Sequence, residues 1–219
     1  MKKGDTLKIA ASILDLNPKT RENLEKIEES GIDFVHIDVM DGKFVSNESF
    51  PYKQVSKFIN SFHYDIHLMV ENPREYIEDY SKIKPEYITF HYEIGSPLEW
   101  IKLIQSKGIK AGMSIKPSTT VEEIKPYLPY LDLVLVMSVE PGLGGQAFLE
   151  STYSKIEELV QYKKEYNNSF QIEVDGGINS SNIENLKKCD IIVVGSFITK
   201  GVFKERVEEL KKYCDLEET

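Results

Sequence analysis

The chain has 219 residues, with 27 Lys and Arg against 36 Asp and Glu, a formal charge of −9 and 41% hydrophobic residues. That acidity excludes a long nucleic-acid footprint, which needs a basic face, and no run approaches the roughly 20 apolar residues of a helical membrane span. The two cysteines, Cys189 and Cys214, lie outside any Cys-x-x-Cys pattern, which excludes a disulfide or zinc-finger framework.

This length suits one α/β domain over residues 1–219, with a substantial core. The start, with Lys2, Lys3, Gly4 and Asp5, leaves no room for an apolar leader core, so a cytoplasmic location is the expectation. Strand-like and helix-like runs then alternate along the chain. Leu7 to Leu14 reads as a strand, and Asn17 to Ser30 as a helix closed by Gly31. Phe34 to Met40 is a strand followed by a helix over Pro51 to Phe62. Ile66 to Val70 is a strand, and Asn72-Pro73 opens a helix through Lys82. Tyr87 to His91 is a strand, followed by a helix from Pro97 to Lys107 that Gly108 closes. Strands at Lys110 to Ile115, Leu133 to Val139, Phe170 to Val174 and Ile191 to Val194 alternate with helices at Thr120 to Leu128, Glu150 to Tyr166, Ser180 to Lys188 and Val202 to Cys214. About eight β–α units close a parallel barrel, so the expected fold is a (β/α)8 TIM barrel. A doubly wound open sheet is the competitor, but it calls for fewer strands or a second domain. The acidic tail from Asp215 to Thr219 reads as a frayed terminus.

Chemistry concentrates at the C-terminal ends of the strands, where barrels of this type carry their sites. His36 and Asp38 alternate with Ile37 and Val39, so both point to one face of their strand. His67 lies in the third strand and Asp175 ends the seventh. A lone strand-end Asp is usually a turn former. Four such groups toward the ends of three strands make a divalent-metal site, because burying the charges without a metal is costly. Two of the ligands could also serve as acid and base.

A second theme is phosphate. Gly142, Leu143, Gly144 and Gly145 follow the sixth strand, Gly176 and Gly177 the seventh, and Gly195 and Ser196 the eighth. Glycines there let backbone N–H groups turn toward an anion, and loops after the last strands are a recurrent phosphate site in barrels. Met40, Met69 and Met137 lie at strand ends and read either as core filler or as an apolar floor beside the metal. His91 could face the site, His63 reads as a loop residue, and Lys116 as a rim charge. Trp100 and the tyrosines read as packing.

Taken together, Ser12 to Leu14, His36 to Gly42, His67 to Met69, Met137 to Gln146, Glu173 to Gly177 and Gly195-Ser196 resemble the motifs of the ribulose-phosphate 3-epimerase family, in the right order from about Ile9 to Gly201. The resemblance implies one divalent ion, zinc first and iron, manganese or cobalt as other candidates, held by His36, Asp38, His67 and Asp175. It implies that Asp38 and Asp175 form an acid/base pair on opposite faces of a ketose phosphate, working through an enediolate. It further implies that Ser12 and His67 contact the sugar, and that Gly142 to Gly145, Gly176, Gly177, Gly195 and Ser196 hold the phosphate, with no redox cofactor. The expected reaction interconverts D-ribulose 5-phosphate and D-xylulose 5-phosphate, in the pentose phosphate pathway. Association into a homo-oligomer, with no nucleic-acid or membrane partner, goes with it. The chain departs from the family at Ala11, at Ser46 to Tyr52, at Leu143 and at Phe197.

Three other readings compete. An epimerase for a hexulose phosphate, such as D-allulose 6-phosphate, would keep the metal and aspartates and differ in pocket contacts, for which the loop from Ser46 to Tyr52 is the suspect. A phosphate-barrel lyase or decarboxylase would show Asp-x-Lys-x-x-Asp, of which Asp41-Gly42-Lys43 is only the start. A non-catalytic sugar-phosphate-binding barrel would need only the phosphate loops.

Overall fold

A computed structural model describes residues 6–49, 51–59, 62–166 and 168–214. The tail expected to fray, residues 215–219, lies outside the described residues. Eight strands form the framework: β1 (Lys8–Ser12), β2 (Phe34–Met40), β3 (Tyr64–Met69), β4 (Tyr87–His91), β5 (Lys110–Ile115), β6 (Leu133–Met137), β7 (Gln171–Asp175) and β8 (Ile191–Val194). Each pairs in parallel with the next, and β8 pairs in parallel with β1, so the sheet closes as a (β/α)8 barrel. The helices are α1 (Arg21–Glu28), α2 (Tyr52–Val55), α3 (Arg74–Tyr80), α4 (Pro97–Ser106), α5 (Val121–Ile124), α6 (Thr152–Tyr166), α7 (Ser196–Thr199) and α8 (Phe203–Cys214).

Period-2 alternation divides the strand residues between two cores. Ile9, Ile37, Ile66, Ile88, Val134 and Ile192 face outward and pack with Leu24, Ile27, Ile77, Leu159 and Val207 of the helices. Ala10, Phe34, Tyr87, Leu133, Leu135, Ile191 and Val193 form a separate cluster. They fill the barrel interior, so the lower barrel is a packed plug and only its upper end is polar. Gly112 belongs to this packing: a Cβ there would meet Thr89 Oγ1 at 2.2 Å.

Several expected helices are shorter than the sequence suggests. The helix expected over Pro51 to Phe62 is one turn, α2, without a side-chain cap. Asn60 and Ser61 of that span lie outside the described residues. The span from Thr120 to Leu128 starts as α5 on a capping box made by Thr120 and Glu123, and Pro126 then ends it. The helix expected over Ser180 to Lys188 is a 3-10 turn at Ile183–Leu186. Just before it, Asn182 Oδ1 accepts from Asn179 N–H at 2.9 Å and Asn179 Oδ1 from Ser181 N–H at 2.9 Å. Such side-chain bonds compete with the helical ladder. α7, a single turn after β8, has no counterpart among the expected elements.

Candidate active site

Parallel registration of β2 with β3 sets His36 beside Asp65 and Asp38 beside His67. All four side chains are buried. With Asp175 at the end of β7, ligand atoms of His36, Asp38, His67 and Asp175 all lie within 4.8 Å of one another. His36 Nδ1–H donates to Asp65 Oδ2 at 2.6 Å, which turns the other ring nitrogen toward this cluster. That nitrogen, Nε2, is buried and has no hydrogen-bond partner among the described residues. An orphaned buried imidazole nitrogen facing two carboxylates and a second imidazole fits a divalent cation.

Asp38 is the centre of the cluster. Its Oδ2 accepts from Ser12 Oγ at 2.7 Å, and its Oδ1 lies 3.2 Å from His67 Nδ1 and 3.5 Å from His36 Nε2. Burial alone would raise its carboxyl pKa, but the two histidines outweigh burial and hold it well below the usual range. Asp175 goes the other way. Burial, then the negative charge of Asp38, push it up to about 6. The two carboxyls proposed as acid and base thus sit in environments that drive their protonation apart. His36 is pushed up: burial opposes its charge, and Asp65 and Asp38 outweigh burial.

Above the cluster, the strand ends enclose a cavity of about 290 Å³. Ser12, Asp38, Asp175, Gly142 to Gly145, Gly176, Gly177, Gly195 and Ser196 all line it, as do Met69 and Met137. Met40 does not; it packs with Val45 and Met69 under the loop that follows β2. His36 and His67 lie fully buried beneath the cavity. The glycine positions have local reasons. Gly176 and Gly177 have φ of 126° and 63°, where a side chain is strained. A Cβ on Gly142 would meet Val45 at 2.8 Å, so this loop is seated against residues after β2. Asn47 adds an Nδ2–H bond to Gly142 O at 2.8 Å, which ties the atypical segment after Ser46 to the glycine loop. Lys116, expected as a solvated or rim charge, is half-buried with its ammonium 4.1 Å over the Phe44 ring.

Several residues escaped sequence reasoning. Asp65 and Glu173 occupy the same strand faces as His67 and Asp175, two residues earlier, and form a second buried set with His36. Burial, then the Asp65 charge, raise Glu173 well above the usual carboxyl range. Asp15 also lines the cavity, with its carboxylate against Gly144. Ser138 Oγ lies 2.8 and 2.7 Å from the carbonyls of Asp175 and Gly176 and pins the end of β7. His91, by contrast, is expected from the sequence to face the site, and it is buried in the barrel with Nε2 2.9 Å from His67 Nε2.

Residues 8–199 match the model of the ribulose-phosphate 3-epimerase family. The chain is 38% identical over 183 residues to the ribulose-phosphate 3-epimerase of Treponema pallidum, covering 81% of this chain and 84% of that one. It is 37% identical over 202 residues to the enzyme of the same name from Helicobacter pylori, covering 89% and 92%. Among solved structures, Mycobacterium tuberculosis tryptophan synthase superposes with a TM-score of 0.68 at 12% identity, over 97% of this chain and 94% of that one, a likeness of fold alone.

Proposed function

The chain belongs to the ribulose-phosphate 3-epimerase family and is an epimerase, of the isomerase class; we propose that it interconverts D-ribulose 5-phosphate and D-xylulose 5-phosphate with Asp38 and Asp175 as the acid/base pair. The observation that carries this reading is the pair itself: Asp38 on β2 and Asp175 on β7 line one cavity from different strands, within 4.8 Å of each other and of His36 and His67, and their surroundings push one carboxyl down and the other up. Inversion at C3 needs a proton removed from one face beside the C2 carbonyl and another delivered to the opposite face. Two carboxyls in contrasting protonation states meet that need.

His36, Asp38, His67 and Asp175 would hold the metal, zinc first among zinc, iron, manganese and cobalt. When bound, the ion supplies polarisation of the C2 carbonyl and charge to stabilise the enediolate. Ser12 keeps Asp38 oriented through its 2.7 Å hydrogen bond and reaches the sugar from the cavity wall. Leu143, Gly142, Gly144 and Gly145, with Gly176, Gly177, Gly195 and Ser196, cradle the phosphate. Leu143 lines the cavity and is 59% exposed. The proposal extends to one barrel domain across the chain, a homo-oligomer and a cytoplasmic setting in the pentose phosphate pathway. No described helix is long and apolar enough to cross a membrane.

The test is a coupled assay of metal-loaded protein on D-ribulose 5-phosphate, with D-allulose 6-phosphate in parallel. Preference for the pentulose is expected. Preference for the hexulose would move the substrate and implicate the segment from Ser46 to Tyr52. Turnover of neither, with each divalent ion tried, would reject the substrate proposal.

Metal affinity should depend on pH in a defined direction. In the metal-free protein Asp175 is raised to about 6 and His36 is raised, so both hold protons that an incoming cation displaces. Affinity should therefore rise with pH through about 6 and go on rising above it as His36 deprotonates. Competition titrations with a chelator between pH 5 and 8 would read this, and a flat profile would contradict it.

A further inference from the structure

Behind His67 runs a chain of hydrogen bonds that the catalytic reading does not use. His67 Nε2 lies 2.9 Å from His91 Nε2, and His91 Nδ1 lies 3.1 Å from Glu93 Oε2. The other oxygen, Glu93 Oε1, accepts from Lys116 N–H at 2.8 Å and from the Thr119 hydroxyl at 2.5 Å. Lys155 on α6 fixes that turn by donating to the carbonyls of Lys116, Pro117 and Thr119 at 2.9, 2.8 and 2.6 Å. Phe44 packs on the His91 ring with centroids 4.6 Å apart. Both imidazoles are fully buried.

The direction of each bond follows from the carboxylate at the far end. A carboxylate only accepts, so His91 carries its proton on Nδ1 and donates it to Glu93. His91 Nε2 is then the acceptor, and the facing His67 Nε2 must be the donor. That leaves His67 Nδ1 as a bare lone pair, 3.2 Å from Asp38 Oδ1 and 3.9 Å from Asp175 Oδ2. Between a neutral His67 and the carboxylates two acceptors would face each other, an arrangement that only a cation between them makes favourable, or, in the metal-free protein, a proton on Nδ1 donated to Asp38. We propose that Glu93, acting through His91, is a positioning residue that aims the free Nδ1 lone pair of His67 at the metal cluster. This rests on the reading of His67 as a metal ligand.

The informative variant is Glu93→Gln, which is isosteric but has one donating end. Lys116 N–H and Thr119 keep the amide oxygen on their side, so the NH2 faces His91 Nδ1. His91 then carries its proton on Nε2 and donates to His67 Nε2, which drives the His67 proton onto Nδ1, where it meets Asp38. The metal-free variant has every group satisfied, whereas the metal-bound one has two donors facing each other. Zinc affinity, read by competition with a chelator, should fall by about 10–100-fold, as for other outer-shell partners of metal-bound histidines. The melting temperature of the metal-free protein should not fall. Nitrogen-15 NMR of the imidazoles should show His91 protonated at Nδ1 in the parent and at Nε2 in the variant.

A merely structural role predicts the opposite ordering, with the isosteric Glu93→Gln mild and His91→Phe worse. The relay predicts the larger loss of zinc affinity for Glu93→Gln, because His91→Phe removes the acceptor without reversing it. Unchanged zinc affinity in Glu93→Gln, or a His91 proton that stays on Nδ1, would overturn the proposal. The His91 resonances decide the relay even if the parent binds no zinc, an outcome that would instead reject His67 as a ligand.

Discussion

Replacing Asp175 by Asn is expected to lower kcat by about 10²–10⁴-fold, the range for loss of one general acid or base, while sugar-phosphate binding persists. The amide fills the same volume and its oxygen can still ligate, but it neither takes nor gives a proton at C3. The proposed phosphate cradle, the loops after β6, β7 and β8 that line the cavity, does not use that carboxyl. A binder without catalysis would show parental affinity and no turnover in either form. An epimerase should show parental turnover, a collapsed kcat and a ligand affinity changed far less. The measurement is kcat at saturating metal beside calorimetric binding of the ketose phosphate; a variant that turns over like the parent would remove Asp175 from the chemistry. Asp38→Asn is a less clean probe, because that carboxylate also accepts from Ser12 and faces both histidines.

Much of this site was legible because a strand has a strict period of two. His36 and Asp38 share a face, and the barrel rule placed that face at the C-terminal end. The same rule, applied to β3 and β7, would have found Asp65 and Glu173, each two residues before a chosen ligand. Strand ends do not point to them, because they sit one layer lower, under the cluster. Glu93 had no such signal. It lies in a short turn after β4, and its role depends on the 116–119 turn after β5, a pairing that no local spacing reveals. The helices misjudged from sequence fail for local reasons of the same kind. Pro126 stops α5, and asparagine side chains bind the backbone before Ile183–Leu186. The eight strands carried the fold regardless, because the closed sheet needs only their apolar alternation and order.

Gly177→Ala should damage the phosphate half of the site as selectively as Asp175→Asn damages the proton-transfer half. Gly177 has φ of 63°, and a Cβ there would stand 2.5 Å from Phe148 N and 2.8 Å from Gln146 O. Both are backbone atoms, so neither can rotate away as a side-chain tip would. The strained conformation alone costs about 1–3 kcal/mol. The segment from Gln146 to Phe148 must also move, and it continues directly from the glycine loop that lines the cavity. The cluster of His36, Asp38, His67 and Asp175 lies below and stays intact, so metal content should match the parent. Loss of phosphate contacts that are alike in ground and transition states raises KM and leaves kcat nearly unchanged. A rise in KM of tenfold or more, with weakened inhibition by inorganic phosphate and a lowered melting temperature, is the expected result. An equal loss of kcat with unchanged KM would show that this turn shapes the reacting end rather than the phosphate end.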